Sequence, residues 1–184
     1  EINKLKDDYG RSSIGKDKKI NVEYVSANPT GILHLGTARG AAYGDSLCNI
    51  LSFAGYNVTR EYYINDAGNQ IDNLGISIQI RYKELCGIKE ELPENGYHGK
   101  EIIEIAKNIY KEYSDSKLNE KLEFFKEIGL NTLLNKIKQD LKQFRVDFDV
   151  WTSEKSIRNK GRIEECLKIL EKNGDTYEQD DALY

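Results

Sequence analysis

Cysteine is scarce in this sequence: Cys48, Cys86 and Cys166 are odd in number, far apart and without a C-x-x-C pair. That spacing argues against both a zinc site and a disulfide framework, and a reducing cytoplasm fits it best. Each of the three lies in an apolar helical pattern and is expected to fill core space. No apolar run reaches the roughly 18 residues of a membrane span, and the N-terminus lacks the charged-then-apolar order of a secretion signal. An excess of positive charge is missing too. With 27 Lys+Arg against 31 Asp+Glu the net charge is −4, so binding to a polyanion would need a local basic patch. There is no internal repeat and no low-complexity segment. What is present, 39% hydrophobic and 32% charged residues in 184, is ordinary for a folded domain with a real core. The chain begins at Glu1 and stops at Tyr184 within a strand-like stretch, as expected of a piece of something longer.

Residues 1–19 are polar, with Gly10, Gly15 and the run Lys16-Asp17-Lys18-Lys19, and read as a lead-in without a regular element. From Ile20 to Ser26, Ile20, Val22 and Tyr24 alternate with more polar neighbours, a strand pattern. Pro29 and Gly31 then mark a turn, and from Leu35 to Ala54 apolar residues recur at helical spacing until Gly55. A second strand is predicted from Asn57 to Asn65. The following helix carries Ile71, Leu74, Ile78, Tyr82 and Leu85 on one face and ends at Gly87. Strand and helix in alternation predict an α/β fold with a parallel sheet.

Between Gly87 and Val146 only helical patterns follow one another: Ile102/Ala106/Ile109/Tyr113, Leu118/Leu122/Phe125 and Leu134/Ile137/Leu141/Phe144. An all-helical insertion is the simplest reading. A third strand is predicted over Phe148–Ser153, a helix through Ile163, Cys166, Leu167 and Leu170, and a strand cut short from Asp175 onward. The expected divisions are 1–19, 20–87, 88–145 and 146–184.

The sharpest chemical signal is Asn28-Pro29-Thr30-Gly31-Ile32-Leu33-His34-Leu35-Gly36-Thr37, where the first strand turns into a helix. Ligands of parallel α/β sheets bind at this edge, and a helix start offers unpaired N–H groups and positive potential to phosphate. Gly36 would let a nucleotide approach the backbone. His34 can donate a hydrogen bond to a phosphoryl oxygen as charge develops. His98 and Trp151 read as structural, and Lys136, Lys138 and Lys142 as a solvated helix face. Tyr62, Tyr63, Asn65 and Asp66, at the same sheet edge, suit either a pocket wall or a structural turn.

His34-Leu35-Gly36-Thr37 resembles the His-Ile-Gly-His signature of class I aminoacyl-tRNA synthetases, with Thr37 in place of the second His. A hydroxyl there can still donate to phosphate but cannot carry positive charge. The run from Val22 to Ile71 is similar throughout to the arginyl-tRNA synthetase family, its bacterial members above all. Asn95–Ala106 and Phe144–Glu154 resemble further segments of it in the same order. The resemblance implies a Rossmann-like nucleotide-binding domain that activates arginine with ATP and magnesium and passes it to tRNA, in the cytoplasm and without a membrane anchor. It implies that Asn28, Pro29, Thr30, Gly31, His34, Gly36 and Thr37 face ATP, with His34 and Thr37 catalytic. It assigns the amino acid's ammonium group to Asn28, with Ser26 beside it, and the guanidinium to Glu23. No resident metal is implied.

From the residues alone, a carboxylate near the end of a buried strand calls for a cation, which agrees with Glu23. Asn28 could equally close an Asx-turn before Pro29. The family's second signature, Lys-Met-Ser-Lys-Ser, is missing, since the sequence holds no methionine. The residues alone are therefore expected to be inactive or nearly so. A nucleotidyltransferase of the same superfamily and a binding module without turnover are the rival readings.

Overall fold

A computed structural model describes residues 1–16, 18–180 and 182–184. The chain opens with a short helix α1 (Ile2–Leu5) and a tight helical turn at Lys6–Asp8, so the lead-in does contain local structure. Strand β1 (Lys19–Glu23), helix α2 (Leu35–Phe53), strand β2 (Asn57–Ile64) and helix α3 (Asn69–Leu85) follow. Next come α4 (Lys100–Tyr113), α5 (Leu122–Gln143), β3 (Val150–Ser153), α6 (Glu154–Asn159) and α7 (Arg162–Asn173). Two short strands, β4 (Glu178–Gln179) and β5 (Ala182–Leu183), close the chain. The sheet is parallel in the order β1-β2-β3, so the three strands present their C-terminal ends at one edge. Among the described residues no helix is long and apolar enough to cross a membrane.

The inward face of the sheet carries Tyr62 and Ile64, which meet Ala41 of α2 and Ile137 and Leu141 of α5. Tyr62 stacks on Trp151 at 4.4 Å and meets Phe148 edge-on at 5.3 Å, so Trp151 serves as a core anchor. A second cluster joins α3, α4 and α5 through Leu74, Ile78, Tyr82, Ile102, Ile105 and Phe125. Full burial of such side chains contributes about 1.5–3 kcal/mol each. α5 belongs to both clusters and ties the helical segment to the sheet.

Four further expectations are corrected. β1 ends at Glu23 rather than Ser26, because Val25 and Ser26 take φ of 65° and 38° and turn the chain sharply, with Ser26 N–H donating to Tyr24 O at 2.9 Å. The second and third helical patterns of the insertion are one helix from Leu122, with Leu118 in the preceding turn; Gly129 alone does not break it. After Asp175 the strand pairs back on itself as an antiparallel hairpin, with Tyr177 stacked on Tyr184 at 5.4 Å. Of the cysteines only Cys48 fills the core; Cys86 is half-buried and Cys166 exposed.

Candidate active site

The loop between β1 and α2 is held from three sides. Its first turn is strained, since a β-branched residue such as Val25 rarely takes positive φ, and such strain persists only where the surroundings over-determine it. β2 supplies two ties: Tyr63 N–H donates to Ser26 Oγ at 3.0 Å, and Tyr62 Oη–H donates to Ala27 O at 2.8 Å. Burial pushes the Tyr62 phenol up to about 12, so it stays protonated and can keep donating. The third tie is Asn28 Nδ2, which donates to Gln70 Oε1 of α3 at 2.7 Å. Pro29 is fully buried, while Thr30 and Gly31 lie half-buried in the turn beyond it.

His34 is the N-cap of the 19-residue α2. Its Nδ1 accepts from Gly36 N–H at 3.1 Å. The neutral ring then carries its proton on Nε2, which is left outward as a donor. Thr37 completes a capping box: its Oγ1 accepts from His34 N–H at 2.9 Å and donates to His34 O at 2.6 Å. The Thr37 hydroxyl proton is thus engaged within the turn. Gly36 makes room for the ring, because a Cβ there would stand 2.9 Å from His34 Cε1 and 3.0 Å from Nδ1. Beside His34, an apolar cleft of about 530 Å³ opens between α2 and the end of α5, walled by Leu33, Ala38, Ala41, Leu141 and Phe144.

Glu23, the last residue of β1 before this loop, lies on the exposed face of the sheet. The desolvation argument for a cation partner therefore falls away, since β1 is not buried on both sides. What remains is a carboxylate with no hydrogen bond or ion pair among the described residues. Its register neighbour Glu61 is differently placed, accepting from Asn21 Nδ2 and Thr152 Oγ1, which hold its carboxyl below the usual range.

The other candidates separate clearly. Asp66 accepts from Ser153 Oγ at 2.6 Å and Lys155 N–H at 2.8 Å, so it caps α6 together with Ser153. His98 is exposed before α4. Lys136, Lys138 and Lys142 are exposed along α5, with Lys136 paired to Asp140 at 2.6 Å. A second, more polar cleft of about 340 Å³ opens beside Asp66 and Gly68, where Lys126 bridges Asp72 and Glu123. Gln70 escaped the sequence reading. The signal that could have found it is its place in the first turn of the helix leaving the second strand, at the edge where ligands bind.

Residues 2–184 match the family model described as tRNA synthetases class I (R), catalytic domain. Arginine–tRNA ligase 1 of Halalkalibacterium halodurans is 54% identical over 180 residues, 96% of this chain and 32% of that protein. Arginine–tRNA ligase of Bacillus subtilis is 53% identical over the same length, with the same coverage. The chain thus spans about a third of the length of these relatives. Among solved structures, one assigned to an arginyl-tRNA synthetase of Campylobacter jejuni superposes with a TM-score of 0.88 at 34% identity, covering 99% of this chain and 40% of that one. The arginyl-tRNA synthetase of Thermus thermophilus shares the fold, with a TM-score of 0.59 at 21% identity over 94% of this chain and 29% of its own.

Proposed function

Because the chain belongs to the arginine-specific class I tRNA synthetases, matched along their catalytic domain, we propose that it carries part of the site that activates arginine for transfer to tRNA. The observation that carries this reading is the His34 cap: a ring locked through Nδ1, with an Nε2 donor at the positive end of a long helix. In the proposed first step a carboxylate oxygen of arginine attacks the α-phosphorus of ATP. The bond to the bridging oxygen breaks, and pyrophosphate leaves with its electron pair. Charge rises on the non-bridging oxygens, where His34 Nε2–H and the start of α2 stabilise it without reorganising. Thr37 is given a supporting part, holding the turn that carries His34. Asn28, Pro29, Thr30, Gly31 and Gly36 form the rest of the ATP-facing loop. In the second step a ribose hydroxyl at the 3′ end of tRNA takes the arginyl group and AMP leaves. No protein nucleophile is required.

On the amino-acid side, Asn28 and Ser26 take the ammonium group and Glu23 the guanidinium. The Glu23 carboxylate is free of partners among the described residues, and a planar fork pairs well with it. Magnesium is proposed to arrive with the phosphates of ATP, and the reaction to run in the cytoplasm. The expected divisions stand as part of the proposal, with 88–145 inserted between the two nucleotide-binding segments.

The test is Glu23→Gln in the protein expressed from its complete reading frame, with the arginine and ATP dependences of pyrophosphate exchange measured separately. Losing a charge-assisted hydrogen bond of about 1.5–3 kcal/mol should raise the arginine Michaelis constant roughly ten- to a hundredfold and move that for ATP little. Equal losses for both substrates, or none for arginine, would remove Glu23 from the pocket.

A further inference from the structure

Gln70 is an exposed residue in the first turn of α3, and its partner Asn28 stands 42 positions earlier in the chain. A side-chain amide offers two donors at nitrogen and an acceptor at oxygen, so which end is engaged decides what the other end presents. Here Gln70 Oε1 takes a proton of Asn28 Nδ2 at 2.7 Å. Asn28 Oδ1 has no hydrogen-bond partner among the described residues. The Asx-turn open to Asn28 would have used that oxygen locally and left the amide nitrogen outward, a donor that a cation cannot use. The engagement with Gln70 leaves an acceptor.

We infer that Gln70 is a positioning residue for amino-acid recognition: it fixes the Asn28 amide so that Oδ1 faces the substrate's ammonium group. The inference rests on the ammonium role proposed for Asn28. The ties from Tyr62 and Tyr63 hold the same loop by Ala27 O and Ser26 Oγ, and so fix its path. Among the described residues Gln70 is the one side-chain partner of the Asn28 amide, and the pairing observed, with Gln70 Oε1 as acceptor, is the one that leaves Asn28 Oδ1 open. Because it acts through the side-chain amide of Asn28 and leaves the path of the ATP-facing loop to the ties from β2, it bears on the ammonium contact of arginine more than on ATP, and its effect vanishes when Asn28 is gone. An acidic side chain at position 70 would serve equally, since a carboxylate oxygen accepts from Nδ2 and suits the first turn of a helix.

The experiment uses the protein expressed from its complete reading frame. Pyrophosphate exchange gives the Michaelis constants for arginine and ATP in Gln70→Met, Gln70→Glu, Asn28→Ala and the Asn28→Ala/Gln70→Met double variant. Position 70 is exposed, so these changes leave folding intact, and circular dichroism checks it. Gln70→Met keeps length but has no strong acceptor. It should raise the arginine constant about two- to tenfold, one hydrogen bond's worth, and leave that for ATP within about twofold. Gln70→Glu should stay within about twofold of the parent. Asn28→Ala should raise the arginine constant by about tenfold or more, and the double variant should match it. If Asn28→Ala raises the constant and Gln70→Met does not, Gln70 loses the role while Asn28 keeps its own. An unchanged constant in Asn28→Ala removes both. Additive effects in the double variant mean that Gln70 meets the substrate directly, and equal effects on arginine and ATP mean a general structural part. Either result overturns the positioning role.

Discussion

His34 does two jobs with one ring: Nδ1 caps α2 by accepting from Gly36 N–H, and that bond is what leaves Nε2 to donate. Gly36 is therefore tied to His34 as much as to any nucleotide. In Gly36→Ala the new methyl would meet the imidazole at 2.9–3.0 Å and push it out of the cap. Unfolding by urea should show a loss of about 0.5–2 kcal/mol, that of a missing N-cap. Pyrophosphate exchange in the complete protein should fall at least about tenfold, as expected when a transition-state donor is misplaced. Wild-type stability together with wild-type exchange would show that the ring does not depend on the glycine. The place of His34 and Asn28, at and before a helix start that follows the first strand, was legible in the sequence from strand-turn-helix order. The internal bonds of the cap were not, since Thr37 read as a phosphate donor while its proton goes to His34 O at 2.6 Å. Gln70 stayed hidden because nothing local links it to a loop 42 residues away.

The exposed face of the sheet is laced across all three strands, with Asn21 of β1 and Thr152 of β3 both donating to Glu61 of β2. These two hydrogen bonds hold the Glu61 carboxyl below its ordinary value, so folding favours the ionised form. The stabilisation is fully present above the unfolded value, about pH 4.3, and is lost as pH falls through the lower folded value. Glu61→Gln should lower thermal stability at neutral pH and weaken its fall below about pH 4.3. Melting curves from pH 7 to 3 check this, and parallel curves for parent and variant would mean that the ladder contributes nothing. Periodicity and glycine stops located α2, β2 and α3 well, since Gly55 and Gly87 take φ of 90° and 88° just past their helices. It failed where tertiary contacts decide. The positive φ at Val25 and the ties to β2 end β1 early, and packing on both clusters carries α5 unbroken from Leu122 to Gln143.

At the scale of the whole molecule, three parallel strands and the helices behind them bring one edge together. On that edge the tied loop, the capped start of α2 and the first turn of α3 meet. The α/β class and the helical segment could be read from strand-helix order. The antiparallel closing hairpin could not, because a single strand pattern does not name its partner. If this edge activates arginine, the outward Nε2 of His34 is its centre, and the cap can be separated from the donor. Asparagine is as good an N-cap acceptor as any but cannot place a donor where Nε2–H stands. The decisive measurement is arginine-dependent pyrophosphate exchange by the complete protein, carried out for the parent, His34→Ala and His34→Asn, with melting curves alongside. We predict that the parent exchanges with arginine and not with other amino acids, that His34→Asn melts like the parent, and that both variants lose about 10²–10³ in rate. Exchange within twofold of the parent in His34→Asn, or exchange that does not depend on arginine, would contradict the account.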